Sequence, residues 1–337
     1  MTRPLFRTVR RRNPFAVDHL PFLAELYAAG FKPRRRLAKR FIGKPAKNLF
    51  RLVYRTGLGG TGRFTLALGD RTAACAFNAR NTQYHALYLP PYAKGYEPDT
   101  TALFDILLPD DGVFFDIGAN WGYYALFAAA RPGFAGRIHA FEPMPATFAD
   151  LASVVDQAGL GNVITCHQVA LSAAPGQGTM TVGDGLHSGI ARLGGSGGGG
   201  VEVPLMPLDD LDLPAPHVMK LDVEDHEDSV LTGARRLLAR HRPYVAFESW
   251  REPHRPDRTL APFTVLAEAG YLFFQTAWRR HGGGVDWIDA GDPPNGEEAT
   301  LALVPLLPDQ RFLLRDQMNV FACPAERLDQ LAALFPD

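Results

Sequence analysis

The stretch Phe114–Ala130, FFDIGANWGYYALFAAA, decides the fold. An apolar run stops at Asp116, passes two glycines with an asparagine between them, and re-enters apolar, alanine-rich sequence. The run before Asp116 reads as a buried strand, and the segment after Gly122 as a helix ended by Pro132. Gly118 permits a tight turn and close approach of backbone to a ligand. Asn120 is of the non-glycine type most at ease at positive φ, and Gly122 lets the helix begin close to the strand. The spacing D-x-G-x-N-x-G is not the G-x-G-x-x-G of a dinucleotide site. A pyrophosphate seeks free N–H groups at a helix N-terminus, and an acid in the turn would repel it. Asp116 suits a ligand that brings positive charge or donor groups.

Working outward, the next strand, GRIHAFEP, ends on Glu142. A carboxylate in that position can accept both hydroxyls of a ribose. A cationic amino-acid end beside Asp116 and a ribose at Glu142 together describe S-adenosylmethionine. Either acid alone could instead cap a helix; the pair on consecutive strands carries the nucleoside reading.

From Thr101 the chain alternates strand and helix. Strands are expected at GVFFDI, GRIHAFEP, NVITCHQVAL, HVMKLDVE, PYVAFES, YLFFQTA and NVFACP, with helices between the earlier ones. Such alternation predicts a parallel sheet covered on both faces, with ligands bound beyond the carboxyl ends of its strands. Upstream, residues 18–30 read as a short helix and 62–78 as a hairpin. The glycine-rich stretch 183–200 and residues 278–310 read as two long loops. The expected division is a basic N-terminal extension over residues 1–95 and a ligand-binding domain over 96–337.

The chain of 337 residues can bury a large core, and its 46% hydrophobic and 21% charged content is that of an ordinary globular enzyme. Cys75, Cys166 and Cys323 are isolated, which argues against a disulfide framework or zinc ribbon. No bilayer-spanning run and no convincing leader peptide is read, so a cytoplasmic location is expected. The net charge of −1 conceals an asymmetry. Residues 1–55 hold 15 Lys and Arg against Asp18 and Glu25, whereas the remainder holds 20 bases and 34 acids. The clusters RTVRRR and KPRRRLAKR could meet an anionic membrane surface or nucleic acid. They are read instead as an arm that is solvated or docked on the acidic body, because no aromatic-interleaved RNA motif accompanies them.

The series FFDIGANWGYYAL, HAFEPMPATFADL, VALSAAPG, VPLMPLDDL and MKLDVEDHEDSVLTGA resembles, in this order, the FkbM-type S-adenosylmethionine-dependent methyltransferases. The resemblance covers roughly residues 100–250 and does not reach residues 1–95. It implies a class I methyltransferase (Rossmann-like) α/β fold with a mostly parallel seven-stranded sheet. It also implies methylation of a hydroxyl, commonly on a sugar or polyketide. Two departures stand out: Asp225 occupies a position where the family usually has glycine, and the asparagines common after the E-P motif are missing.

Methyl transfer from a sulfonium needs an in-line nucleophile and mainly positioning. A hydroxyl acceptor also benefits from a base. Asp222, Glu224 and His226 fall two apart and could converge at the sheet's carboxyl edge. His226 is the expected base, Asp222 is expected to position cofactor or acceptor, and Glu248 to hold an acceptor hydroxyl beside Trp250. Glu224, Asp225, Glu227 and Asp228 could equally supply the negatively charged first turn of a helix, with His226 facing water. His187 and Ser188 are alternative acceptor contacts. Asp222, Glu224 and Glu248 are hard oxygen ligands of a kind that some O-methyltransferases use, but no spacing is diagnostic and no metal is assigned.

The expected cofactor set is therefore Asp116, Gly118, Asn120, Gly122, Glu142 and Asp222. The expected catalytic set is His226, Asp222 and Glu248, acting on a small-molecule or glycan acceptor. Two rivals remain: a nicotinamide-dependent oxidoreductase, recognised by retention of NAD, and a non-catalytic domain that binds nucleic acid or membrane through residues 1–55. Deleting that arm would separate the last from an enzyme.

Overall fold

The computed structural model describes residues 3–31, 39–182, 191–193 and 200–337. The chain begins with β1 (Leu5–Arg10) and β2 (Phe15–His19), followed by helices Phe22–Phe31 and Lys44–Arg55. A hairpin of β3 (Thr61–Leu68) and β4 (Arg71–Asn78) leads to helix Pro98–Leu107. Then come β5 (Val113–Ile117), helix Tyr123–Ala129, β6 (Arg137–Phe141), helix Pro145–Gln157 and β7 (Ile164–His167). Four short strands follow: β8 (Ala170–Leu171), β9 (Gly176–Val182), β10 (Ala191–Leu193) and β11 (Val201–Met206). The chain continues with β12 (Val218–Leu221), helices Glu227–Thr232 and Arg235–His241, β13 (Tyr244–Trp250) and helix Pro256–Glu268. It closes with β14 (Tyr271–Gly282), β15 (Val285–Asp289), β16 (Glu298–Leu306) and β17 (Gln317–Pro324).

The main sheet runs β1-β16-β14-β17-β13-β12-β5-β6-β7, with β15 folded back on β14. From β13 to β7 every pairing is parallel, and the other pairings are antiparallel. The seven expected strands are all present. The parallel core is as expected, but the sheet is mixed and ten-stranded rather than seven-stranded, because antiparallel strands extend it. Residues expected to form the second long loop supply two of the extra strands. Gly283 and Gly284, at φ +57° and +79°, make the turn between β14 and β15. In β16, Ala299, Leu301, Ala302 and Leu303 are all buried in the core. The glycines and prolines of this stretch make it read as loop, which conceals both strands.

The third extra strand is β1, which pairs with β16 from Leu5↔Leu303 to Arg10↔Glu298. The N-terminal extension is thus partly woven into the main sheet. Its first basic cluster is spent on the body: Arg10 pairs with Glu297, and Arg12 grips Asp105 through two 2.7 Å bonds while lying 3.7 Å over the Phe127 ring. The stretch expected as one strand, NVITCHQVAL, divides into β7 and β8. β8 leaves for a small sheet, β10-β9-β11-β8.

The parallel half positions the site. The buried runs of β5 and β12 make the centre of the core, packed by helices on both sides. After β5 the chain winds outward to β6 and β7, then returns to β12 on the other flank of β5. That reversal opens a crevice at the carboxyl ends of β5 and β12. There Gly118 is in close contact with the next turn: a Cβ added to it would overlap the carbonyl oxygen of Asp222.

Candidate active site

The first wall of the crevice is the turn after β5. Gly118, Asn120 and Gly122 all sit at positive φ, +80°, +50° and +94°, as the sequence pattern requires. The amides of Gly118 and Ala119 both donate to the carbonyl of Phe141, at 3.0 and 2.9 Å, which binds this turn to the end of β6. Asn120 fixes the rest. Its side-chain oxygen accepts from Trp121 N at 2.9 Å and from Asn81 Nδ2 at 3.2 Å. A Cβ at Gly122 would lie 2.7 Å from Leu151, so the helix start is pressed against its neighbour.

Glu142 completes this wall. Its carboxylate accepts from Asn120 N at 3.1 Å and from Met144 N at 2.9 Å, each on a different oxygen. Burial pushes its pKa up to about 7, against those two amides, which pull it down. Asp116 is placed otherwise than expected. It is buried behind the turn, accepts from Ala125 N at 2.9 Å in the first turn of helix Tyr123–Ala129, and does not line the cavity. The carboxylate spends itself on an amide the helix start leaves unpaired. Burial raises its pKa to about 7, moderated by Lys220.

The opposite wall comes from the ends of β12 and β13. Asp222, Glu224, His226, Glu248 and Trp250 all face the same cavity of about 340 Å³ as Gly118, Asn120 and Glu142. One oxygen from each of Asp222, Glu224 and Glu248 lies within 4.8 Å of the others. The grouping could hold a divalent cation through hard oxygen donors. Trp250 Nε1 donates to Glu248 at 2.9 Å, and Gln317 Nε2 donates to its other oxygen. Trp250 therefore fixes an acid as well as offering a flat surface. Burial, then repulsion from Asp222 and Glu224, drives the Glu248 pKa well above the usual carboxylate range.

His226 Nε2 lies 3.1 Å from Ser172 Oγ. Burial lowers the imidazole's pKa against the pull of Asp228, so the ring is neutral at neutral pH. Glu227, read as a mere helix-start charge, is buried and accepts from Val223 N at 3.0 Å, closing the turn after β12. Glu224 and Asp225 in that turn have φ +54° and +73°. Left-handed backbone costs a non-glycine residue roughly 1–2 kcal/mol, which is the physical reason a glycine suits position 225. The Arg258–Asp225 pair, at 3.5 Å with Arg258 substantially exposed, returns little. Asp225→Gly is expected to raise stability by about 1 kcal/mol, read as a higher thermal midpoint; an unchanged or lower midpoint would contradict it.

Sequence reasoning missed three groups. Lys220 is fully buried in β12, with Nζ 3.2 Å from Asp222 and 5.2 Å from the Tyr124 ring centroid. Burial alone would lower its pKa, but Asp222, Glu97, Glu248 and Asp116 outweigh that and hold it charged. Glu97, just before helix Pro98–Leu107, accepts from Tyr124 Oη and Asn319 Nδ2. Tyr92, Tyr96, Tyr123, Tyr124 and His85 form an aromatic side of the cavity. A lysine inside VMKL, two residues before Asp222, was a readable signal because alternation puts both on one side. The residues near 90–97 carried none. His187 and Ser188 lie outside the described residues, as does most of the glycine-rich stretch, though Ala191–Leu193 is a strand and Leu193 reaches the cavity.

The chain is similar to several known proteins. The chain is 31% identical over 133 residues to the hexuronic acid methyltransferase AglP of Haloferax volcanii, covering 38% of this chain and 52% of that protein. It thus spans about half the length of this curated relative. Among solved structures, a methyltransferase FkbM from Methylobacillus flagellatus KT matches at 22% identity and TM-score 0.38, over 67% of this chain and 53% of that one. An S-adenosylmethionine-dependent O-methyltransferase from Thermotoga maritima matches at 10% identity and TM-score 0.35, over 72% and 78%. Residues 116–273 match the family model described as the methyltransferase FkbM domain.

Proposed function

We propose that the protein is an S-adenosylmethionine-dependent O-methyltransferase whose acceptor is a carbohydrate hydroxyl. The observation that carries this reading is one cavity with two chemically distinct walls: a glycine turn with Glu142 on one side, and Asp222, His226 and Glu248 on the other. The first wall fits the methyl donor. Gly118 and Gly122 let the turn close against Asp222 and Leu151 and so shape the cradle, and each Glu142 oxygen, although it accepts one amide, keeps a lone pair for a ribose hydroxyl. Bound there, S-adenosylmethionine would supply an electrophilic methyl group on sulfur. AglP, named for a hexuronic acid, supports a sugar acceptor.

On the second wall, a neutral His226 that donates Nε2–H to Ser172 keeps Nδ1 free to take the acceptor's proton. Asp222, 3.2 Å from Lys220 Nζ, orients the hydroxyl, and Glu248, which burial pushes toward its protonated form, lies beside it to contact a neighbouring oxygen. His226→Asn should lower kcat/KM by about 100-fold with S-adenosylhomocysteine affinity unchanged. Equal activity in the variant would remove His226 from the chemistry.

The direct test is calorimetry with S-adenosylhomocysteine on wild type and Glu142→Ala. A loss of at least about tenfold, or 1.4 kcal/mol, is expected. Because the ribose is accepted by the ionised carboxylate, wild-type affinity should fall as pH drops through about 7, and the variant should lose that dependence. No binding by folded wild type would sink the donor site. Sugar acceptors are then screened by methyl transfer from labelled S-adenosylmethionine.

A further inference from the structure

Helix Lys44–Arg55 carries more apolar surface than its neighbours cover. Phe50 is buried and meets the Tyr27 ring edge-on at 5.2 Å, so one face packs on helix Phe22–Phe31. On the outward face Leu49 and Leu52 are 43% and 63% exposed. Ile42, in the turn that leads into the helix, is 57% exposed, and Leu58, just past its end, is 68% exposed. At about 3.6 residues per turn, Pro45, Leu49 and Leu52 line one stripe. Lys44, Arg51 and Arg55, all exposed, line the stripe beside it. No acidic residue occurs between Glu25 and Asp70.

We infer that this face docks on an anionic lipid bilayer, with the helix lying in the headgroup plane. Aliphatic side chains beside a row of Lys and Arg match an interface that is apolar a few ångströms below an anionic surface. Two other occupants fit less well. A second copy would bring an identical basic stripe against this one, with no acid to answer it. A nucleic acid would reward the cations but leave Ile42, Leu49 and Leu52 on phosphates and sugars, where single-strand binding calls for stacked aromatic rings. The net charge of −14 on residues 56–337 turns the rest of the body away from an anionic surface and so orients the docked protein. Docking is also near the cavity: Tyr27, on the partner helix, stacks on His85 at 6.1 Å, and His85 lines the cavity. A membrane-borne acceptor would reach the site from that side. The inference stands on surface chemistry and does not depend on which reaction the cavity performs.

The test is flotation of the full chain with vesicles of phosphatidylcholine alone and of equal phosphatidylcholine and phosphatidylglycerol. Wild type is expected to float with the anionic vesicles at low salt, weakly with the neutral ones, and less as salt rises. The pair Leu49→Ser and Leu52→Ser, and separately the pair Lys44→Gln and Arg55→Gln, should each cut partitioning by about tenfold with circular dichroism unchanged. Three results would overturn the inference. Folded wild type could stay off anionic vesicles. Both pairs could bind like wild type. Sedimentation could show a dimer that the leucine pair dissolves, which would assign the face to a second copy.

Discussion

Gly118→Ala is expected to abolish S-adenosylhomocysteine binding and to destabilise the protein by at least about 3 kcal/mol. Two costs add. Gly118 has φ +80°, where an alanine loses roughly 1–2 kcal/mol. Its Cβ would also overlap the carbonyl oxygen of Asp222 and lie 3.3 Å from Val223 Cγ1. The overlap is with backbone, so no side-chain rotation relieves it; the turns after β5 and β12 must part. Those turns carry Asn120 and Asp222 and, through the Gly118 and Ala119 amides, the end of β6 next to Glu142. One methyl group therefore disturbs both walls of the cavity. Gly69→Ala is the control: it too has positive φ, +61°, but nothing lies within 4 Å of its Cβ. It should pay only the backbone cost, about 1 kcal/mol, and bind ligand normally. Equal losses in the two variants, by denaturant titration, would show that the close approach at Gly118 carries no weight.

This contact marks the limit of what the sequence discloses. Periodicity identified the seven strands, because β5, β6, β12 and β13 are apolar runs of the right length between turn residues. The positive φ values at Gly118, Asn120 and Gly122 were legible because few residue types tolerate them. The crossing of two turns was not, since Gly118 and Asp222 come together only through the reversal of strand order. Nor was the position of Asp116: the same residue type suits a cationic ligand or an unpaired amide, and the Ala125 amide 2.9 Å away at the helix start decides for the amide. The wall from Tyr92 to Glu97 and Gln317 of β17 arrives from segments with no motif. Asp225 runs the other way, since its departure from a glycine pattern correctly located a strained turn.

Lys220→Met should cost about 3–5 kcal/mol at neutral pH, the second large effect. The methionine fills much the same volume, so the loss is one of charge. Lys220 is a cation among Asp222, Glu97, Glu248 and Asp116, and without it the buried Asp116 and Glu248 and the half-buried Asp222 and Glu97 repel one another. Asp116, Glu97 and Glu248 already have pKa values raised by burial in the presence of the lysine. Removing it raises them further, so each must take a proton to remain buried. The sign follows from linkage. A carboxyl whose folded pKa is raised above its unfolded value costs stability increasingly as pH climbs past the unfolded value. Lys220, its pKa raised by these same acids, stays charged across this range, so it stabilises the fold to the extent that the carboxyls around it are ionised. The gap between wild type and variant should therefore shrink toward about pH 4–5, where Asp116, pushed up to about 7 in wild type, is protonated in both. It should widen through pH 7 and 8. Denaturant midpoints across that range measure it, and a gap that stays constant with pH would mean that Lys220 acts by packing alone. Because Nζ also holds Asp222 from 3.2 Å, the variant at pH 7 should lose acceptor turnover even where enough of it remains folded to bind S-adenosylhomocysteine.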